Sequence, residues 1–72
     1  METEMVRQVA AKVLGIDPRA VADDALLTEH LGADSLDLLK MAAELEEQMQ
    51  LVIDRKALLK ANTVRELARL LH

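Results

Sequence analysis

Seventy-two residues leave room for one small domain, and none for a deep catalytic cleft with a scaffold around it. Hydrophobic residues make up 51% without a single Phe, Tyr or Trp, so a packed core must be built from Leu, Val, Ile, Ala and Met. Nine Lys and Arg against thirteen Asp and Glu give a net charge of −4, which argues against nucleic acid, and the absence of Cys excludes disulfides, thiolate metal sites and thiol catalysis.

In chain order, Met5, Val9 and Val13, flanked by Val6, Ala10 and Leu14, predict a first helix from about Glu2 to Leu14. Gly15 supplies a left-handed stop over which Ile16 can fold back, and Pro18 discourages continuation. No helical period persists over residues 16–34. This long loop is expected to be pinned by Val21, Leu26, Leu27 and Leu31, with room for a short helical turn around Asp24 to Leu27. A second helix is expected from Ser35 to about Gln50, with Leu38, Leu39, Ala42, Leu45 and Met49 inward. Asp37, Lys40, Glu44 and Glu47 lie opposite, where Lys40 can pair with Asp37 and Glu44 at helical spacing.

Leu51, Val52 and Ile53 form a short apolar run, after which Asp54 can cap a brief helix through about Lys60 that buries Leu58 and Leu59. Thr63 and Glu66 have capping-box spacing for a last helix with Val64, Leu67 and Leu71 inward, ending at Leu71 or His72. The expected fold is all-α: a small up-and-down four-helix bundle, three main helices and one short one, with a long loop between the first two.

The stretch Leu31-Gly32-Ala33-Asp34-Ser35-Leu36-Asp37 places a hydroxyl at a helix N-terminus, where unpaired amides and the helix dipole tolerate an anion. This run, with Leu45-Glu46-Glu47 in the following helix, closely resembles the modification site of acyl carrier proteins. The resemblance covers nearly the whole chain. It implies a 4′-phosphopantetheine arm, taken from coenzyme A, on Ser35, and acyl groups held there as thioesters for partner enzymes. Expected partners are a phosphopantetheinyl transferase and the acyl-transfer and condensing enzymes of a fatty-acid, polyketide or other specialised acyl pathway.

Leu36, Asp37, Ala43, Glu44 and Glu47 are the docking candidates, because in this family the second helix is the main docking surface. Leu38, Leu45, Ile53, Leu58, Leu67 and Leu70 match positions that line an acyl cavity in relatives. Glu29, Asp34 and Asp37 match positions that hold weakly bound divalent ions, whereas a second cluster at Glu46, Gln50, Val52 and Arg55 keeps a single acid. Lys40 departs from the acid common in fatty-acid carriers, which weakens matching to basic enzyme surfaces. Met49 and Leu27 stand where Phe is common, and Asp54 where Pro is frequent.

A contrasting reading is an unmodified helical interaction domain with Ser35 as a simple cap. An enzyme would need an oriented base, and His30 near Ser35 lacks a third group to orient it. The sequence shows neither a signal peptide nor an apolar run long enough to span a membrane, so a cytoplasmic protein is expected, and it is taken to be a monomer. The start at Met1 and the finish just past the last helix favour a free-standing protein, although an excised domain would look the same.

Overall fold

The computed structural model describes residues 2–71, which form helices and no strand. Helix α1 spans Glu2–Leu14, a 3-10 turn covers Pro18–Ala20, α2 spans Leu27–Leu31, α3 Ser35–Met49, α4 Arg55–Lys60 and α5 Val64–Ala68. The radius of gyration, 10.5 Å, is close to the roughly 11 Å of a compact chain this long. His72, expected at or beyond the end of the last helix, lies outside the described residues.

Helix α1 ends as its residues predict. Gly15 takes a left-handed φ of 70°, and the Ile16 amide donates back to Ala11 O at 3.0 Å while its side chain packs on the core. The buried stripe is Val6, Val9, Ala10 and Ala11, with Met5 and Val13 half-buried at its edges. It is therefore centred one position along from the expected Met5–Val9–Val13 row.

Residues 15–34 hold more structure than the expected loop. Asp17 caps the 3-10 turn by accepting the Arg19 amide at 2.8 Å, and Val21 and Leu27 are buried. The helical turn forms at Leu27–Leu31, later than the expected Asp24–Leu27. Polar clamps from both flanking helices hold the crossing. Arg7 Nε donates to Val21 O at 2.8 Å, and its guanidinium faces Asp23. From α5, the Arg65 amide donates to Asp23 O at 3.2 Å and Arg65 Nε to Asp24 Oδ1 at 2.9 Å.

On α3 the core face is Leu38, Met41, Ala42 and Leu45, with Met49 half-buried. Leu39, expected inward, is 39% exposed, and Met41 is fully buried in its place. Both residues border the same stripe, and the packing of α1 and α4 on α3 selects the Met41 flank. The helix ends on Gln50 in the left-handed region at φ 54°, a conformation that costs a side-chain-bearing residue about 1 kcal/mol. Glu46 then organises the turn: its carboxylate accepts the Ile53 amide at 2.7 Å and pairs with Arg55 at 3.0 Å.

Asp54 caps α4 through the Lys56 amide at 2.9 Å, as expected. Only Leu58 of its apolar pair is buried; Leu59 is 60% exposed, because a six-residue helix offers one narrow inward stripe. The last helix also differs. Thr63 Oγ1 accepts the Glu66 amide at 3.0 Å, but Glu66 reaches back to the Asn62 amide at 2.7 Å, one residue before the box position. Helix α5 stops at Ala68, and Leu71 enters the core from the turn beyond it. Three main helices and a short one thus give way to two longer helices and three of five or six residues among the described elements.

Leu45→Ala should cost about 2–5 kcal/mol in denaturant unfolding, whereas Leu39→Ala should stay within about 0.5 kcal/mol. Gln50→Gly should stabilise by about 0.5 kcal/mol, the relieved strain being partly offset by the freer unfolded chain. The acid limb has a defined sign. Arg55 first, and then the Ile53 amide, hold the Glu46 carboxyl below its ordinary value of 4.5. The folded state therefore binds fewer protons there, and this contribution is present above that value and lost as pH falls through the lower folded one. Melting temperature should decline below about pH 4.5, and Glu46→Gln should flatten that limb.

Candidate functional site

The centre of the site is the junction between α2 and α3. Gly32 closes α2 at φ 74°, its amide donating to Leu27 O. The following Ala33 is buried and donates to the same carbonyl at 2.9 Å. This tight reversal turns the chain outward at Asp34.

Two carboxylates then cap α3 reciprocally. Asp34 Oδ1 accepts the Asp37 amide at 2.9 Å, and Asp37 Oδ2 accepts the Asp34 amide at 3.2 Å. Ser35 is the first helical residue rather than the cap, and it is exposed. Its hydroxyl has no capping duty. Among the described residues, the Ser35 and Leu36 amides find no acceptor and remain free to donate.

The junction is braced from a distance. Leu26 precedes α2 without a side chain able to cap it, and Asn62 from the α4–α5 turn takes over. Asn62 Oδ1 accepts the Thr28 amide at 3.1 Å, and Asn62 O accepts the Leu27 amide at 2.8 Å. Sequence reasoning missed Asn62. Its one local signal is an amide side chain just ahead of a helix cap, and nothing in the pattern names the helix it serves.

The docking candidates lie on α3 in differing states. Leu36 is 59% exposed, and Ala43 and Glu47 are also exposed. Asp37 is half-buried with its carboxylate committed to the cap. Glu44 is held by Lys12 of α1 at 2.9 Å and by Gln48 at 2.9 Å. Lys12 first, and then Gln48, draw the Glu44 carboxyl below its ordinary value. Lys40, which helical spacing allows to pair with Asp37 and Glu44, makes no ion pair among the described residues.

Leu38, Leu45, Ile53, Leu58 and Leu67 come together in the core, and the half-buried Leu70 packs against them. Leu70 also lines a shallow groove between α4 and α5 with Ala57, Lys60, Ala61 and Arg69. Among the described residues, no group of three or more His, Asp or Glu stands close enough to hold a metal ion, so Glu29 does not join Asp34 and Asp37 in one. The ring nitrogen His30 Nδ1 accepts the Leu26 amide at 2.9 Å, which ties it to its own helix rather than to Ser35.

A phosphodiester on Ser35 fits this junction. Ser35 is exposed, two amides beside it have no acceptor among the described residues, and a covalent ester needs access rather than binding affinity, so the flanking Asp34 and Asp37 do not bar it.

Comparison with known proteins bears on the chain as a whole. Residues 4–71 match the family model described as a phosphopantetheine attachment site. An acyl carrier protein of Campylobacter concisus is 42% identical over 50 residues, 69% of this chain and 65% of that protein. One from Bdellovibrio bacteriovorus is 35% identical over 63 residues, covering 88% of this chain and 81% of its own length. One from Saccharopolyspora erythraea is 36% identical over 61 residues, 85% of this chain and 64% of that protein. Proteins of this kind are carriers rather than catalysts, with 4′-phosphopantetheine as the prosthetic group. The chain belongs to the acyl carrier protein family.

Proposed function

We propose that residues 1–72 form one carrier domain in which Ser35 Oγ bears the phosphopantetheine arm, and that the domain delivers acyl groups to the enzymes of a biosynthetic pathway. In this reading α1, α3, α4 and α5 make up an up-and-down bundle, residues 15–34 with their 3-10 turn and α2 form its long connection, and the protein works as a cytoplasmic monomer. The observation that carries the assignment is the division of labour at the α3 terminus: Asp34 and Asp37 cap the helix, and Ser35 stands exposed beside them. A serine serving only as a cap would hold its oxygen over the amides of its own helix.

The arm, when fitted, supplies a terminal thiol that binds acyl groups and carries them between active sites. The chain's own residues do the rest. Ser35 offers the hydroxyl to a phosphopantetheinyl transferase. The capping pair fixes the backbone on which that hydroxyl stands, and Gly32 and Ala33 set the reversal that leads into it. Leu36, with Ala43 and Glu47 further along α3, gives acyl-transfer and condensing enzymes a surface beside the attachment point.

Lys40 supports a polyketide or other specialised acyl pathway over bulk fatty-acid synthesis. A cation in the first half of α3 lowers the complementarity to strongly basic docking patches.

Incubation with coenzyme A and a broad-specificity phosphopantetheinyl transferase should add the mass of one arm, and Ser35→Ala should abolish the gain. An unchanged mass would instead favour an unmodified helical interaction domain. Because Ser35 does not cap, Ser35→Ala should alter the unfolding free energy by no more than about 0.5 kcal/mol, whereas Asp34→Ala should cost about 1 kcal/mol in the same measurement.

A further inference from the structure

The acids of α3 do not present the uniformly negative face that their number implies. Asp37 is folded into the cap, Glu44 is paired with Lys12, and Glu46 is turned toward Arg55 and the Ile53 amide. Glu47 remains exposed with no ion pair among the described residues, as does the single cation Lys40.

These groups border a groove of about 360 Å3 between α1 and α3, lined by Lys12, Val13, Lys40, Ala43, Glu44 and Glu47. Its exposed charges are ordered along the helix. Lys40 lies toward the Ser35 end, the Lys12–Glu44 pair closes the middle, and Glu47 lies toward the far end. Val13 and Ala43 supply apolar surface between them. A uniformly basic partner surface would satisfy Glu47 and drive a like charge against Lys40, and such juxtapositions are penalised at interfaces.

We infer that this groove is a docking site for a partner enzyme whose surface sets a carboxylate against Lys40, an apolar side chain over Val13 and Ala43, and a cation against Glu47. The inference rests on the carrier reading and adds the chemistry of the partner to it. Lys40 is the residue that determines specificity, because it separates a mixed-charge partner from an all-basic one. The Lys12–Glu44 pair acts through position, holding Glu44 away from Lys40 so that the ammonium stays available.

The test uses protein that carries the arm, confirmed by mass, and an acyltransferase whose carrier-docking patch is rich in Arg and Lys. A second form of that enzyme has one patch cation, the one facing the first half of α3, replaced by Glu. Dissociation constants are measured for both forms. The chain should bind the Glu-bearing form about tenfold more tightly than the parent, and Lys40→Glu should reverse that preference. Ala43→Leu, which fills the groove, should weaken binding to both forms about fivefold. Lys56→Glu makes the same change in net charge on α4 and should leave the preference as it was.

A preference of the same sign in the chain and in Lys40→Glu overturns the assignment, as does reversal by Lys56→Glu, or no binding to either form. Failure to gain the arm removes the carrier reading itself, and with it the inference. Gain of the arm without an inverted preference removes the inference alone.

Discussion

Two aspartates facing each other's amides at the head of α3 are what the rest of the structure serves. A helix start in water needs acceptors for its first N–H groups, and serine is a common choice for that work. Here Asp34 and Asp37 supply them reciprocally, so the hydroxyl one position along is left without a structural task. A hydroxyl that does not cap a helix can be altered without removing an acceptor from that helix's first turn. The capping pair leaves Ser35 in that position, one residue past the cap.

Holding that junction in place draws on distant parts of the chain. Asn62 caps α2 from 34 residues along the chain, and α2 ends in the glycine that turns the backbone toward Ser35. Arg7 and Arg65 pin the segment that leads into α2 through Val21 O, Asp23 O and Asp24. Helices of five or six residues are marginal alone, and such helices persist here because buried Leu27, Leu58 and Leu67 and these long-range bonds supply what local propensity lacks. A core without aromatic rings adds many small aliphatic contacts instead of a few large ones.

The electrostatics of α3 show why charge counting along a helix misleads. Four acids sit on this helix against one lysine, yet three of the four are committed to partners inside the protein. What a partner meets is set by the acids left over. The helix presents one exposed cation and one exposed anion, with the Lys12–Glu44 pair and the apolar Val13 and Ala43 between them.

Much of the fold and the local backbone around Ser35 could be read from residue order. The first helix with its glycine stop, the start of α3 at Ser35, the Asp54 cap and the Leu31 to Asp37 run are all local, because capping and helical periodicity depend on residues a few positions apart. The flanks of the core stripes were not legible. Leu39 against Met41, and Leu58 against Leu59, are near-equal apolar choices until neighbouring helices take their places. The same holds for Lys12 with Glu44, Asn62 with α2 and Arg65 with Asp24, whose partners lie 32, 34 and 41 residues apart. Local order thus determined where helices begin and which hydroxyl stands at a helix end. Tertiary packing alone decided which apolar flank was buried and which charges were left for a partner, since both depend on neighbours that no sequence window contains.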